Sequence, residues 1–200
     1  AGMSAAVSAA RLGCKVALIN DRPVIGGNNS SEIRVHLGGR IEEGVYKELG
    51  GLQKEFGPEK GGNAQPAENY EDQKKLDWLA NEKNVTLFLN YRAIGVTKDG
   101  NKITSVTALH IESCKEQKFE APLFSDCTGD GTIGYLDGAD FRMGREAKSE
   151  FGESIAPEKA DKMTMGASVQ WYSVDNGKNS SFPDYSYGVE FNDMNCEKVL

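Results

Sequence analysis

Gly2 to Ser31, GMSAAVSAARLGCKVALINDRPVIGGNNSS, is the stretch whose reading decides the fold. Met3 to Leu12 is rich in Ala and Ser, and Ala5, Ala6, Ala9 and Ala10 give a thin helical face that lets the backbone pack close to a sheet. Gly13 is the flexible residue expected past the last turn. Lys15 to Ile19, KVALI, is then nearly all apolar, the pattern of a parallel strand covered on both faces. The polar cluster Asn20, Asp21, Arg22 and Pro23 breaks it, and Gly26-Gly27 follows. This order is the second half of a nucleotide-binding βαβ unit, whose first strand and opening glycines are expected upstream of residue 1. In such a unit the glycine opening the helix lets the helix approach the strand and aims its N–H groups at a pyrophosphate. Gly2 takes that place, and Asn20 and Asp21 end the strand about 20 residues on, where a ribose-binding side chain belongs.

Working outward, Glu42 to Phe56 alternates charged and apolar residues at helical spacing, and Gly57 to Pro66 reads as a polar loop. Ala67 to Asn84 resumes the helical period through Tyr70, Leu76, Trp78 and Leu79. From Val85 the period switches to strands at 85–89, 93–97 and 103–111, the last two joined by a hairpin turn at Lys98-Asp99-Gly100-Asn101. A further strand is expected over Phe119 to Asp126, entering Cys127-Thr128-Gly129-Asp130-Gly131 and then a short helix from Thr132 to Gly138. Phe141 to Lys162 reads as a charged connection, and Thr164 to Val174 as a new strand. The fold class is therefore α/β, a Rossmann-like domain with a parallel sheet plus a β-meander, truncated at its N-terminus. Residues 1–162 form this domain, and 163–200 begin a second, substrate-side domain.

The net charge of −7 argues against nucleic acid, whose phosphates demand a basic footprint. Cys14, Cys114, Cys127 and Cys196 show no CxxC spacing, so neither a metal site nor a disulfide framework is read. Cys14 and Cys127, in apolar contexts, read as small buried hydrophobes. No stretch approaches the roughly 20 apolar residues of a membrane span. A cytoplasmic location is expected, although a leader preceding residue 1 would change that.

The run from Gly2 through Val24-Ile25-Gly26-Gly27, with Asp126-Cys127-Thr128-Gly129-Asp130-Gly131, resembles the FAD-dependent oxidoreductases of the two-dinucleotide-binding-domain class. It is most similar to the bacterial branch neighbouring the flavin-carrying part of heterodisulfide reductase, over roughly residues 1–150. The resemblance implies FAD as cofactor, with Gly2 at the pyrophosphate and Asn20 at the ribose position, which in many members is Glu. An amide still bonds a ribose hydroxyl, without the charge-assisted strength of a carboxylate, and Asp21 next door compensates. Arg22 reaches a phosphate or the adenine side. Gly26 and Gly27 pass close to the cofactor, and Asn28 and Ser31 belong to the same covered loop. Ala93 matches the strand position whose backbone faces adenine. Thr128, Gly129, Asp130 and Gly131 form the returning loop, with Asp130 accepting hydrogen bonds near the ribityl or pyrophosphate part.

In the disulfide-reductase relatives a redox-active cysteine pair follows the Gly-Gly. Asn28, Asn29, Ser30 and Ser31 stand there in this chain, which excludes a dithiol mechanism in this part. Arg34 and His36 alternate with Ile33, Val35 and Leu37 and so share one face of an expected strand. Turned toward the flavin, an Arg stabilises the reduced anion near N1 and a His exchanges protons with substrate. A solvated strand face is the competing reading, and His110 reads as structural. The expected partners are a small-molecule substrate and an electron-transfer partner or NAD(P)H. Two other functions remain open, an NAD(P)-binding dehydrogenase and a non-catalytic flavin protein feeding iron–sulfur clusters bound elsewhere. Trp171, Tyr172, Tyr185 and Tyr187 either line a pocket or fill a core.

Overall fold

The computed structural model describes residues 1–39, 42–167, 173–179 and 181. Helix α1, Gly2–Arg11, buries Met3, Ala6, Val7 and Ala10, the i, i+3, i+4, i+7 set of a single face. Two of the alanines, Ala6 and Ala10, thus lie inside, while Ala5 turns to solvent. Gly13 adopts φ +97°, and the Cys14 N–H returns to the Ala9 carbonyl at 3.0 Å, closing the helix end. Strand β1, Val16–Ile19, then pairs in parallel with β2, Val85–Phe88, in the register Val16 to Val85 through Ile19 to Phe88.

The long crossover between these strands carries α2, Gly51–Phe56, and α3, Asp72–Ala80, each entered from a 3-10 turn, at Lys47–Gly50 and Ala67–Tyr70. Met3, Val7, Ile25, Phe56 and Leu79 form one core cluster beneath α1, α2 and α3, flanked by Leu18, Val85 and Leu87 of the parallel pair. Phe56 and Trp78 rings meet at 4.9 Å between centroids. At the rim, Arg11 bonds Glu55 at 2.7 Å and Glu82 at 2.6 Å, tying α1 to α2 and to the turn after α3. The Arg11 guanidinium, helped by the Trp78 indole N–H, holds the Glu55 carboxyl down at about 2.

A second sheet follows as an antiparallel meander of β3, Tyr91–Asp99, β4, Lys102–His110, and β5, Glu116–Glu120. Gly100 supplies φ +57° in the two-residue turn, where Asp99 faces Lys102. Helix α4, Thr132–Asp137, packs on β3, and α5, Lys148–Phe151, is a single exposed turn.

Several expectations are corrected. The helix expected over Glu42 to Phe56 is helical only from Lys47 onward, because Glu42 and Gly44 sit at φ +65° and +76° and Val45, Tyr46 and Leu49 find no core. Ala67 to Asn84 is broken at Glu71, whose φ is +48°. No strand forms across 33–37: Arg34 takes φ +61°, and the Val35 N–H bonds the Asn28 carbonyl at 2.9 Å, folding the segment onto itself. The strand expected over Phe119 to Asp126 instead ends at Glu120, with residues 121–127 outside any ladder. Cys14 and Cys127 are exposed, the first beyond the α1 cap and the second at the end of that unpaired segment. Of the strand expected at 164–174, residues 164–167 and 173–174 are not strand, and 168–172 lie outside the described residues, as do Trp171, Tyr172, Tyr185 and Tyr187.

The core reading makes a direct prediction. Val7 is fully buried, so Val7→Ala lowers the free energy of unfolding by about 2 kcal/mol through lost burial and the cavity left behind. A urea melt checks it, with the midpoint falling and the slope unchanged.

Candidate functional site

The two motifs, more than 120 residues apart in sequence, meet in space. A Cβ added to Gly2 would lie 3.3 Å from the Cys127 Cβ and 3.7 Å from Leu18 Cδ1, so the start of α1 rests on both β1 and the 126–131 loop. No side chain caps α1, and its first internal bond runs from the Ala5 N–H to the Ala1 carbonyl at 3.0 Å. The N–H groups before Ala5 are therefore left for an acceptor outside the helix.

Asp126 builds the neighbouring loop. Its Oδ1 accepts from the Thr128 N–H at 3.0 Å and the Thr128 hydroxyl at 2.7 Å, while its Oδ2 accepts from the N–H groups of Ile133 at 2.8 Å and Gly134 at 3.2 Å. Thr128 Oγ1 in turn accepts from the Thr132 N–H at 2.8 Å. Partial burial pushes the Asp126 carboxyl up, but these hydrogen bonds, led by the Thr128 hydroxyl, outweigh it and hold the group below its ordinary value. One carboxylate thus closes the turn and caps α4. Gly129 and Gly131 have φ +92° and +67°, and nothing lies within 4 Å of where their Cβ atoms would be. The Asp130 side chain is exposed. This open cradle of backbone, beside the uncapped start of α1, fits a bound pyrophosphate.

At the far end of β1, the Asn20 Nδ2 donates to the carbonyls of Arg22 at 2.8 Å and Val24 at 3.0 Å, which shapes the turn through Asp21 and leaves Oδ1 as the acceptor. The Tyr91 N–H bonds the Asn20 carbonyl at 3.0 Å, so β3 begins against the end of β1. Ala93 stands opposite Ala108, at a bulge in the β3–β4 register. Arg22 is engaged by Glu32 at 3.3 Å.

The Gly26 to Ser31 loop is held from beneath by α3. Lys75 is 0% exposed and donates its Nζ to the Asn29 carbonyl at 2.7 Å, to the Tyr70 carbonyl and to Asp72. Burial lowers the Lys75 ammonium from its ordinary value, with Asp72 opposing. The Asp72 oxygens accept from the Ser31 N–H at 3.3 and 3.2 Å. Gly26 is demanded by this loop itself: at φ +114°, its Cβ would fall 2.4 Å from the Asn29 carbonyl oxygen. Gly27, at φ +60°, has open space where its Cβ would be, and Asn28 is exposed.

Arg34 and His36 part company. The Arg34 Nε donates to the Ser31 carbonyl at 2.8 Å, and its own carbonyl accepts from the Tyr70 hydroxyl at 2.6 Å. His36 borders a cavity of about 410 Å³ lined also by Asn29, Tyr70 and Lys74, which Arg34 does not line. Its Nδ1 accepts from the Gly62 N–H at 3.2 Å. That bond assigns the proton of the neutral ring to Nε2. The ring is also boxed between two glycines, since a Cβ on Gly61 would stand 2.7 Å from His36 Cε1 and one on Gly38 3.3 Å from Cδ2. His110 closes a local turn, its Nδ1 bonding Ser113. Asp126, Lys75, Asp72 and Tyr70 were missed by sequence reasoning. Only Asp126 carried a signal, an Asp two residues before a Thr at a helix entrance.

A sequence family described as FAD dependent oxidoreductase matches residues 1–198. Among curated proteins no match is found. Among solved structures, the chain is similar to the glycerol-3-phosphate dehydrogenase of Bacillus halodurans complexed with FAD, at 10% identity and a TM-score of 0.41, over 68% of this chain and 34% of that one. The chain thus spans about a third of that structure's length. No described helix is long and apolar enough to cross a membrane.

Asp126 yields a prediction with a fixed sign. Its folded-state value lies below the unfolded one, near 3.9, so its contribution is whole at neutral pH and is lost as pH falls from about that value through the lower folded one. Asp126→Asn turns one doubly used acceptor oxygen into a donor, and Asp126→Ala removes the cap, at about 1–2 kcal/mol. Amide exchange at Ile133 and Gly134 is expected to quicken in both variants at neutral pH, and in the parent protein only on acidification.

Proposed function

Because the chain belongs to the FAD-dependent oxidoreductase family, we propose that it binds FAD where the start of α1 meets the 126–131 loop and that it oxidises or reduces a small-molecule substrate held beside His36. The packing of Gly2 on Cys127 carries this reading, because it joins a helix start rich in free N–H groups to a left-handed glycine loop. The uncapped N–H groups of α1 and the backbone of Gly129 to Gly131 bind the pyrophosphate, and the Asn20 Oδ1 accepts from a ribose hydroxyl. Gly27, with Asn28 and Ser31, borders the cofactor from the other side. When bound, FAD supplies the two-electron chemistry.

The chain's own residues orient and polarise. With its Nδ1 accepting from the Gly62 N–H, His36 presents Nε2–H as a hydrogen-bond donor to the reacting oxygen of the substrate. Such a donor stabilises charge developing on that oxygen, which is a different task from carrying a proton through Nδ1. Arg34, fixed through its Nε, keeps its terminal N–H groups for the flavin. Residues from about 163 onward open the substrate-side domain.

The purified protein, or the apoprotein given FAD, is expected to show the visible bands of an oxidised flavin; a colourless protein that cannot be reconstituted would sink the reading. Gly2→Val, which forces a branched side chain against Cys127, weakens FAD binding at least about tenfold. His36→Ala leaves FAD affinity unchanged and slows flavin reduction by substrate about 10²-fold in stopped-flow traces. Gly61→Ala, which displaces the His36 ring, follows it in direction.

A further inference from the structure

The segment from Gly61 to Gln65 is bonded step by step to the segment from Arg34 to His36. The Ala64 N–H donates to the Arg34 carbonyl at 2.9 Å, the His36 N–H to the Asn63 Oδ1 at 2.6 Å, and the Gly62 N–H to the His36 Nδ1 at 3.2 Å. Arg34 and Ala64 both take left-handed backbone, at φ +61° and +52°. A residue with a Cβ keeps that conformation only where its surroundings impose it.

The imposing group comes from a third element. Tyr70 ends the Ala67–Tyr70 turn, is 2% exposed, and is held by its own carbonyl, which accepts from the buried Lys75 ammonium. Its hydroxyl lies 2.6 Å from the Arg34 carbonyl oxygen and 3.1 Å from that of Gly62, and it accepts from the Gln65 N–H at 3.2 Å. One hydroxyl proton thus serves two carbonyls, the nearer being that of Arg34. The phenol engages both segments at once, and it meets residue 62 at the carbonyl while the N–H of the same residue meets the His36 ring. His36 is exposed, so water competes for its ring nitrogens. The Gly62 N–H keeps Nδ1 only while the 61–65 segment is held in place.

We propose that Tyr70 is the positioning residue of His36: its hydroxyl latches the 61–65 segment onto 34–36 and, through Gly62, keeps the proton of the neutral ring on Nε2. The bearing of this latch on the reaction rests on the role of His36 given above.

The chain has two histidines, so nitrogen-15 labelling of histidine gives two rings to follow. His110, whose Nδ1 is engaged by Ser113, is the internal control. In the FAD-loaded protein at about pH 8, where an ordinary imidazole is neutral, His36 is expected to show a bare Nδ1 and a protonated Nε2. Tyr70→Phe, which removes only the hydroxyl, draws the two His36 signals together as the tautomers mix, leaves those of His110 in place, and speeds amide exchange at Gly62 at least about tenfold. FAD content stays that of the parent. Unmoved His36 signals, or equal movement in both rings, overturn the proposal. If Tyr70→Phe does not fold, the parent protein decides: the amides of Gly62, Ala64 and Gln65 exchange together as one unit, and unrelated rates overturn the latch. The role of His36 fails separately, because flavin reduction unchanged in His36→Ala removes that role while the ring signals still report the latch.

Discussion

A fully buried ammonium is the constraint on which the site depends. Lys75 lies at 0% exposure, and burial disfavours its charged form strongly enough that it must gather acceptors. It finds the Asn29 and Tyr70 carbonyls and the Asp72 carboxylate, and each of these belongs to a different part of the site. The Asn29 carbonyl is the underside of the Gly-Gly loop. Tyr70 ends the 3-10 turn and reaches Arg34 and Gly62 through its hydroxyl. Asp72 also takes the Ser31 N–H. One charge therefore fixes the loop, the segment through Arg34 and the wall of the cavity relative to α3.

That arrangement gives the Gly26 to Ser31 loop two sides with different duties. Its inner side is committed to the protein: a Cβ on Gly26 would fall 2.4 Å from the Asn29 carbonyl oxygen, so the loop's own backbone demands the glycine. Its outer side, at Gly27, stays open. Asp126 does the same work at the second anchor, committing both oxygens to its own loop and to α4 while Gly129 and Gly131 remain open. In both places a buried or multiply bonded charge holds backbone in a left-handed shape. The binding face is thus backbone, and the charged side chains stand behind it.

The parallel pair was legible from the nearly unbroken apolar run at Lys15 to Ile19, and the meander and its hairpin from strand-period segments around the Gly100-Asn101 turn, all of them local signals. Gly2 and the 126–131 loop were legible as motifs, whereas their contact is a product of tertiary packing. Lys75 was not legible. It sits in Gln73-Lys74-Lys75-Leu76, where a lysine reads as solvated, and only the loop laid over it turns the position inward. Arg34 misled for a related reason: apolar alternation at Ile33, Val35 and Leu37 has strand period, but with no neighbouring strand to ladder with, the segment satisfied its N–H groups from Ser30 and Asn28. Cys14 is exposed because its N–H closes the end of α1 on the Ala9 carbonyl and the strand starts only at Val16.

The state of His36 follows from backbone geometry in the same way. An imidazole in water is free to carry its proton on either nitrogen, and this freedom suits it to proton exchange. Here the Gly62 N–H occupies Nδ1, and Gly38 and Gly61 pass so close to the ring that a Cβ at either position would crowd it. Gly62 therefore places the proton of the neutral ring on Nε2. What the ring then offers the cavity is a donor, and the group it suits is an oxygen acceptor.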